Sequence, residues 1–476
     1  MAQDFLLSLP ILVATLWIVL LIVCEATFQR HLLTKYLSLI GFVGVAAATV
    51  YVFPQQGFAF SEMIRAGAVQ HFANFIFLLA GVIVTLTSDR YLEEEKIWFG
   101  EYYIIMFISV LGMMLMASAA NMTVLFIGLE TMSIALYVLA GLMRRDKRSS
   151  EAAMKYFLLG SFASGFFLYG IALIYGATGE MALHRIADVL QLRGASPLFW
   201  IGLSLLMLGL FFKISAVPFH QWTPDVYQGS PTPAAAFMST GAKAAAFAAI
   251  ISVISNFSAQ LQGNLNWSVA VSVVAVATMI VGNVAALAQE QLKRMLAYSS
   301  IAHAGYMLVG IAAGGAEGFS AVIYYTLIYT LMNVGAFSVL ALLESEGLGA
   351  TYSDCAGVFK DSPLLAGAMA IFMLSLAGLP PFGGFIAKYK VFAAAVSAGM
   401  AWLAVVGVLA SAVSAYYYLR VIVAMFMQEK NQPLKLPMTA SSLTLAVVAL
   451  AVLLLGIFPT EVLKLTTKAI ELGFAP

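Results

Sequence analysis

The chain has 476 residues, of which 62% are hydrophobic and 10% charged, with a formal net charge of +1. A soluble domain carries about 25% charged residues because its surface must face water, so this composition excludes an ordinary soluble fold and makes lipid the solvent for most of the chain. The balanced charge, scattered through loops, excludes a nucleic-acid-binding face, and Cys24 and Cys355 lack the spacing and density that a metal or iron–sulfur ligand set or a disulfide scaffold needs.

A membrane-spanning helix needs roughly 20 predominantly apolar residues. The first such stretch, 5–24, follows Asp4 with no Lys or Arg before it, and no small-residue cleavage site precedes Glu25, so it reads as a retained helix and not a signal peptide. Further windows fall at about 33–53, 69–88, 100–117, 120–143, 152–177, 198–225, 231–255, 267–288, 294–314, 319–343, 363–396, 399–427 and 438–459. The fold class that follows is an all-α polytopic membrane protein of about fourteen spans.

An even number of spans puts both termini on one side. Arg144, Arg145, Lys147 and Arg148 form the densest basic loop, and with that loop in the cytoplasm Arg30, Lys35, Arg90, Lys96, Lys293, Arg294, Lys360, Lys430 and Lys435 share its side. The opposite side holds Arg65, Arg185, Arg193, Lys464 and Lys468. Thirteen basic residues against five predict N- and C-termini outside the cytoplasm.

An internal repeat is legible. Ala216-Val217-Pro218-Phe219 returns as Leu379-Pro380-Pro381-Phe382, and Leu129-Glu130-Thr131-Met132 resembles Leu292-Lys293-Arg294-Met295, both at an offset of 163. Ala153 to Phe157 resembles Ala321 to Tyr325 at 168. Two five-helix units are implied, and because five is odd the second runs inverted through the membrane, as in secondary transporters. The expected organisation is a three-helix segment at 1–98, the first unit at 99–262, the inverted unit at 263–430 and a last helix at 431–476. Pro218 and Pro380-Pro381 sit inside the seventh and twelfth spans, which should be broken helices; interrupted backbone at membrane depth is tolerated only where protein or a water-filled cavity satisfies it, so the breaks point to an ion pathway.

Charges alone in apolar stretches carry the chemistry. Glu130 is the only charge from Tyr102 to Met143, Lys213 from Gly194 to Pro224 and Lys243 from Val226 to Gln289, and Lys388 is the first after Asp361. A lysine at the centre of a span costs about 2.5–3.5 kcal/mol, so three unpaired ones would cost on the order of 10 kcal/mol, which decoration does not explain. Lysine suits proton transfer because burial disfavours its charged form and a nearby carboxylate restores it; Glu130 approaching and leaving Lys213 would make a switch. His220, just beyond the first break, suits a proton relay. His303, Lys155 and Lys293 are further candidates, against the plainer readings that His303 packs with Tyr306 and that the two lysines face cytoplasmic water. The remaining histidines, His31, His71 and His184, fall in loops or near span ends, and five dispersed histidines suggest no metal cluster.

The run Phe211-Phe212-Lys213-Ile214-Ser215-Ala216-Val217-Pro218-Phe219-His220-Gln221-Trp222-Thr223-Pro224-Asp225-Val226-Tyr227 resembles the proton-conducting membrane transporter family, which contains the antiporter-like subunits of respiratory complex I and the multisubunit sodium/proton antiporters. Gly128 to Ser133 and Lys293 to His303 are most similar to its subunit N branch. The resemblance implies that Glu130, Lys213, Lys243 and Lys388 are the family's glutamate of the fifth span and lysines of the seventh, eighth and twelfth. It implies a proton-translocating part of NADH:quinone oxidoreductase in a bacterial inner membrane, beside subunit M and small membrane subunits. It implies no cofactor in this chain, with flavin, iron–sulfur clusters and quinone in partner subunits. The alternatives are a sodium/proton antiporter subunit or a non-pumping membrane scaffold.

Overall fold

The structure, a computed structural model, describes residues 1–97, 99–261, 265–429 and 440–473. Lys430, Lys435, the start of the last window at 438 and the segment boundaries expected at 98, 262–263 and 430–431 lie outside the described residues.

Without water to bond to, the backbone closes its hydrogen bonds within helices. The chain opens with α1 (Ala2–Leu7), α2 (Leu9–Phe28) and α3 (His31–Val52), then a hairpin of β1 (Gly57–Ala59) and β2 (Ile64–Ala66). There follow α4 (Ala68–Thr87), α5 (Asp89–Glu94), α6 (Glu101–Ala117), α7 (Met122–Ala140), α8 (Lys147–Thr178) and α9 (Leu183–Arg193). The first broken span is α10 (Pro197–Ile214) with α11 (Trp222–Gly229), before α12 (Thr232–Asn256), α13 (Ser258–Leu261), α14 (Leu265–Leu287), α15 (Leu292–Ala313) and α16 (Gly315–Glu344). The second is α17 (Pro363–Ala377) with α18 (Gly383–Ser397), and α19 (Ala401–Met427), α20 (Ala440–Ile457) and α21 (Thr460–Gly473) complete the fold.

Twelve helices are long and apolar enough to cross a membrane, and α6 and α17 are shorter apolar helices. Together they match the fourteen windows one for one. The hairpin, α9 and α21 were not expected. All of the most apolar window of α12 is buried, and 94% of those of α15 and α16, against 28% in α2 and 33% in α19 and α20. The core is therefore the α12–α15–α16 centre, and lipid or neighbouring protein must face the outer helices. The hairpin ties the chain's ends together: the Phe60 N–H donates to Asp4, Arg65 N–H to the Ser118 carbonyl, and the Arg65 side chain to the Gly473 carbonyl. The Arg185 guanidinium, 2.7 Å from Glu62, holds that hairpin carboxyl below its usual range.

The repeat is written in the backbone. Asn121 bridges Ala182 just before α7, and Gln291 bridges Thr351 just before α15. Gly112 packs on the Met132 backbone, and Gly282 on that of Ala302. Asn121 and Gln291, Gly112 and Gly282, Met132 and Ala302 are each 170 residues apart. The helix pair α6–α7 therefore repeats as α14–α15 at 170, and the match of Glu130 to Lys293 at 163 is corrected: the counterpart of Glu130 is Ser300. Seven residues are two helical turns to within about 20°, so a seven-residue slip keeps the same face inward and looks equally good as a sequence pattern.

Candidate functional site

At the breaks the offset is 163. Ser215 and Gly378 are both left-handed, at φ 63° and 82°, and end their helices alike. Ser215 and Ala216 N–H donate to the Phe212 and Phe211 carbonyls; Gly378 and Leu379 N–H donate to those of Ser375 and Leu374. This double bond closes a helix end inside the membrane and leaves few carbonyls for a side chain to satisfy. Ser215 is held in a conformation that favours glycine by the Thr223 hydroxyl, 2.7 Å from its own.

Lys213 lies in the last turn of α10 and is buried. Its Nζ donates to the Tyr137 hydroxyl at 3.1 Å and stands 5.2, 5.8 and 5.5 Å from the rings of Tyr137, Tyr156 and Phe212. Tyr156 stacks on Trp222 at 4.4 Å, and Trp222 Nε1 donates to the Phe212 carbonyl at 3.1 Å. The lysine thus sits in an aromatic box whose π faces attract a cation. Glu130, two turns before Tyr137 on α7, is half-buried and accepts from Ser164 of α8. No ion pair joins Glu130 to Lys213 in this structure, so the expected switch pair is set apart, with Tyr137 beside the lysine.

Lys243, buried in α12, donates to the Ser300 carbonyl at 2.9 Å and to the Ser300 hydroxyl. One turn on along α15 is His303, whose Nδ1 is 2.8 Å from the Tyr325 hydroxyl and whose Nε2 is 3.0 Å from that of Tyr418. Tyr418 in turn bonds Ser299. Next, Tyr306 accepts from the Asn283 amide at 2.9 Å, and Tyr417 donates to the same amide's oxygen at 2.8 Å. Lys388 Nζ lies 4.8 Å above the Tyr306 ring. It donates to the carbonyls of Leu376 at 2.9 Å and Ala377 at 3.0 Å and to the Ser411 hydroxyl at 2.8 Å. A Cβ on Gly378 would come within 2.7 Å of the Lys388 side chain and displace it, and glycine also suits the φ of 82°. Lys388 thus completes the broken end of α17, at the negative pole of that helix.

Sequence reasoning placed Lys213 and Lys388 beside the breaks and Lys243 in the span after the first, and the structure buries all three. His303 packs edge-on to Tyr306 at 5.6 Å, as the plainer reading had it, and lies on α15 between Ser300, which Lys243 bonds, and Tyr306, whose ring faces Lys388. His220 is half-buried at the break and bonds none of the other candidates. Lys155 pairs with Glu151 and with Asp225, each at 2.7 Å, and Asp225 also holds Arg294, so Lys155 belongs to an ion cluster at the helix ends. Lys293 is buried, contrary to a water-facing role, with the Ser230 carbonyl at 3.1 Å and Glu344 at 3.7 Å. Ser300, Tyr325, Tyr418, Tyr306, Asn283, Ser411 and Tyr137 were missed. A polar residue recurring on one face of a span, as Ser299, His303 and Tyr306 do on α15, was the available signal. Among the described residues no group of three His, Cys, Asp or Glu could hold a metal ion.

The family profile described as NADH:quinone oxidoreductase/Mrp antiporter, TM matches residues 119–414, which span both breaks. The chain is 53% identical to NADH-quinone oxidoreductase subunit N 1 of Chloroherpeton thalassium over 99% of each chain. It is similar to a chain of respiratory complex I from Thermus thermophilus, with TM-score 0.82, 35% identity and coverage of 96% of this chain and 99% of that one. A chain of the Mrp complex from Dietzia sp. DQ12-45-1b shares the fold, with TM-score 0.85 at 21% identity, covering 98% of this chain and 97% of that one. With two inverted five-helix units broken at matching places and near end-to-end similarity to subunit N proteins, the chain belongs to the NADH-quinone oxidoreductase subunit N family.

Proposed function

We propose that the chain is a proton-translocating, antiporter-like membrane-arm subunit of NADH:quinone oxidoreductase. Its proton path would run through Lys243, Ser300, His303 and the surrounding tyrosines to Lys388, with Lys213 and Glu130 as the first unit's proton-holding pair. The observation that carries this reading is the row of hydrogen-bonding side chains on and around α15 that lies between two buried lysines. Neither lysine has a carboxylate within ion-pair distance among the described residues. Lysine, histidine and phenol can each give and take a proton, and a row of them inside an apolar bundle has no plainer structural use.

Moving a proton against the membrane potential costs about 2.3 kcal/mol per 100 mV. In this reading the energy comes from partner subunits carrying flavin, iron–sulfur clusters and bound quinone. Subunit M and small membrane subunits are the proposed neighbours, in a bacterial inner membrane with both termini away from the cytoplasm. The four segments 1–98, 99–262, 263–430 and 431–476 are the proposed organisation.

The test is redox-driven proton uptake in inverted vesicles carrying Lys213→Ala or Lys243→Ala, with assembled complex quantified on native gels. Assembly is expected to persist while uptake falls at least about ten-fold, the scale of a lost proton-transfer group. Normal uptake with normal assembly overturns the relay and favours a scaffold.

A further inference from the structure

The helix α21 lies at the molecular face where α12, α15, α18 and α20 end, and packs on α4 and α16. Thr466, Ala469, Ile470 and Gly473 point into the protein. The opposite stripe, Thr460, Leu463, Lys464, Thr467, Lys468 and Leu472 at helical spacing, lines an open groove of about 780 Å³ whose far wall is Lys390 of α18. Three lysines converge there with one acid, Glu471. Lys464 has only an exposed partner one turn away, Glu461 at 3.0 Å. Lys390 and Lys468 have no ion pair among the described residues.

Two features make this arrangement unexpected. Lysines are disfavoured on the side of the membrane opposite the dense basic loop, yet Lys464 and Lys468 are two of the five basic residues there. Lys390 lies seven residues inside the end of α18, about 10 Å along the helix, where an uncompensated ammonium is costly. An anion in the groove removes both costs. The flanking Leu463 and Leu472 suit an anion that brings hydrocarbon with it. Three lysines on a groove wall do not suit a protein interface, whose core is depleted in lysine.

We propose that this groove binds the phosphate of an anionic phospholipid, with Lys390, Lys464 and Lys468 as its ligands and the acyl chains lying against Leu463 and Leu472. The site is distant in role from the relay: its lysines hold a fixed counter-charge on the outer wall of the second unit and fasten α21 to α18 through the lipid, where the protein makes no strong direct contact between the two helices.

The whole purified complex, in nanodiscs doped with a photo-crosslinking phosphatidylglycerol or with the matching phosphatidylcholine, tests this by mass spectrometry of labelled peptides. The peptide spanning 460–472 is expected to be labelled several-fold more by the anionic probe. Lys464→Gln and Lys468→Gln should each reduce labelling about five-fold, the worth of one basic residue near a charged headgroup, with Lys390→Gln as a third, independent variant. Excess inorganic phosphate should leave labelling unchanged. Equal labelling by both probes, or labelling indifferent to all three substitutions, overturns the proposal. Loss of labelling to inorganic phosphate makes the groove a small-anion site instead. Absent labelling with Lys464 protected from amine reagents means that a neighbouring protein covers the face, which also overturns it.

Discussion

The two broken helices share a backbone and differ in chemistry. Each ends in a left-handed residue, closes with the same pair of backbone hydrogen bonds and resumes after a proline, at a constant offset of 163. Their charges do not follow that offset. The position matching Lys213 is Leu376, and the position matching Lys388 is Asp225, so one unit carries its lysine before the break and the other after it. Glu130 has Ser300 as its counterpart, so the first unit has an acid where the second has a neutral hydroxyl that receives Lys243. The first lysine sits among aromatic rings, the second among carbonyls and a hydroxyl. Duplication has kept what the membrane demands of the backbone, and side-chain substitution has set one unit's lysine among aromatic rings and the other's at a helix end.

Placing the first unit's acid in the second is the sharpest way to break this contrast. Ser300→Glu sets a carboxylate against Lys243, and a charge-assisted bond worth about 1.5–3 kcal/mol would hold the proton there. Redox-driven proton uptake is expected to fall about ten-fold or more with the complex assembled; unchanged uptake would show that the neutral contact at Ser300 is immaterial. A smaller effect is expected from Gly160→Ala. A Cβ there collides with the Tyr137 hydroxyl, the partner of Lys213, and such overpacking costs about 1–3 kcal/mol. Thermal stability and uptake should both drop, and adding Tyr137→Phe, which removes the nearest of the colliding atoms, should recover part of the stability and none of the uptake. Recovery of both would remove Tyr137 from the relay. The smallest effect belongs to Lys155→Gln. That side chain is 40% exposed, Arg294 still pairs with Asp225, and an exposed pair is worth about 0.2–1 kcal/mol. Uptake within about two-fold of normal is expected, and a larger loss would bring this ion cluster into the path.

Much of this was legible in the chain. A span must be long and apolar because lipid offers the backbone nothing, so the windows coincide with the observed helices. The lysines stood out because a charge in an apolar run is costly enough to require a reason. The remainder escaped for equally physical causes. The helix α21 is amphipathic and, at 14 residues, shorter than a span, so a search for apolar runs passes over it. Ser300, Tyr325 and Tyr418 cost little in a helix and are common there; only the fold brings them from α15, α16 and α19 around His303. His220 drew attention by its nearness to Pro218 in sequence, whereas the break turns it to the half-buried edge of the span.

On the proposed path the row around His303 would also have a memory. A hydroxyl that hands on a proton ends with its O–H turned the opposite way, and it cannot accept another from the same side until it rotates back. Tyr325, Tyr418 and the imidazole between them would therefore admit a single proton and then stand closed until each group had turned. In a bundle packed as tightly as the α12–α15–α16 centre such turning waits on small movements of the helices. A wire of this kind would conduct by strokes and not as a current, and its reset would be the step for a remote machine to time.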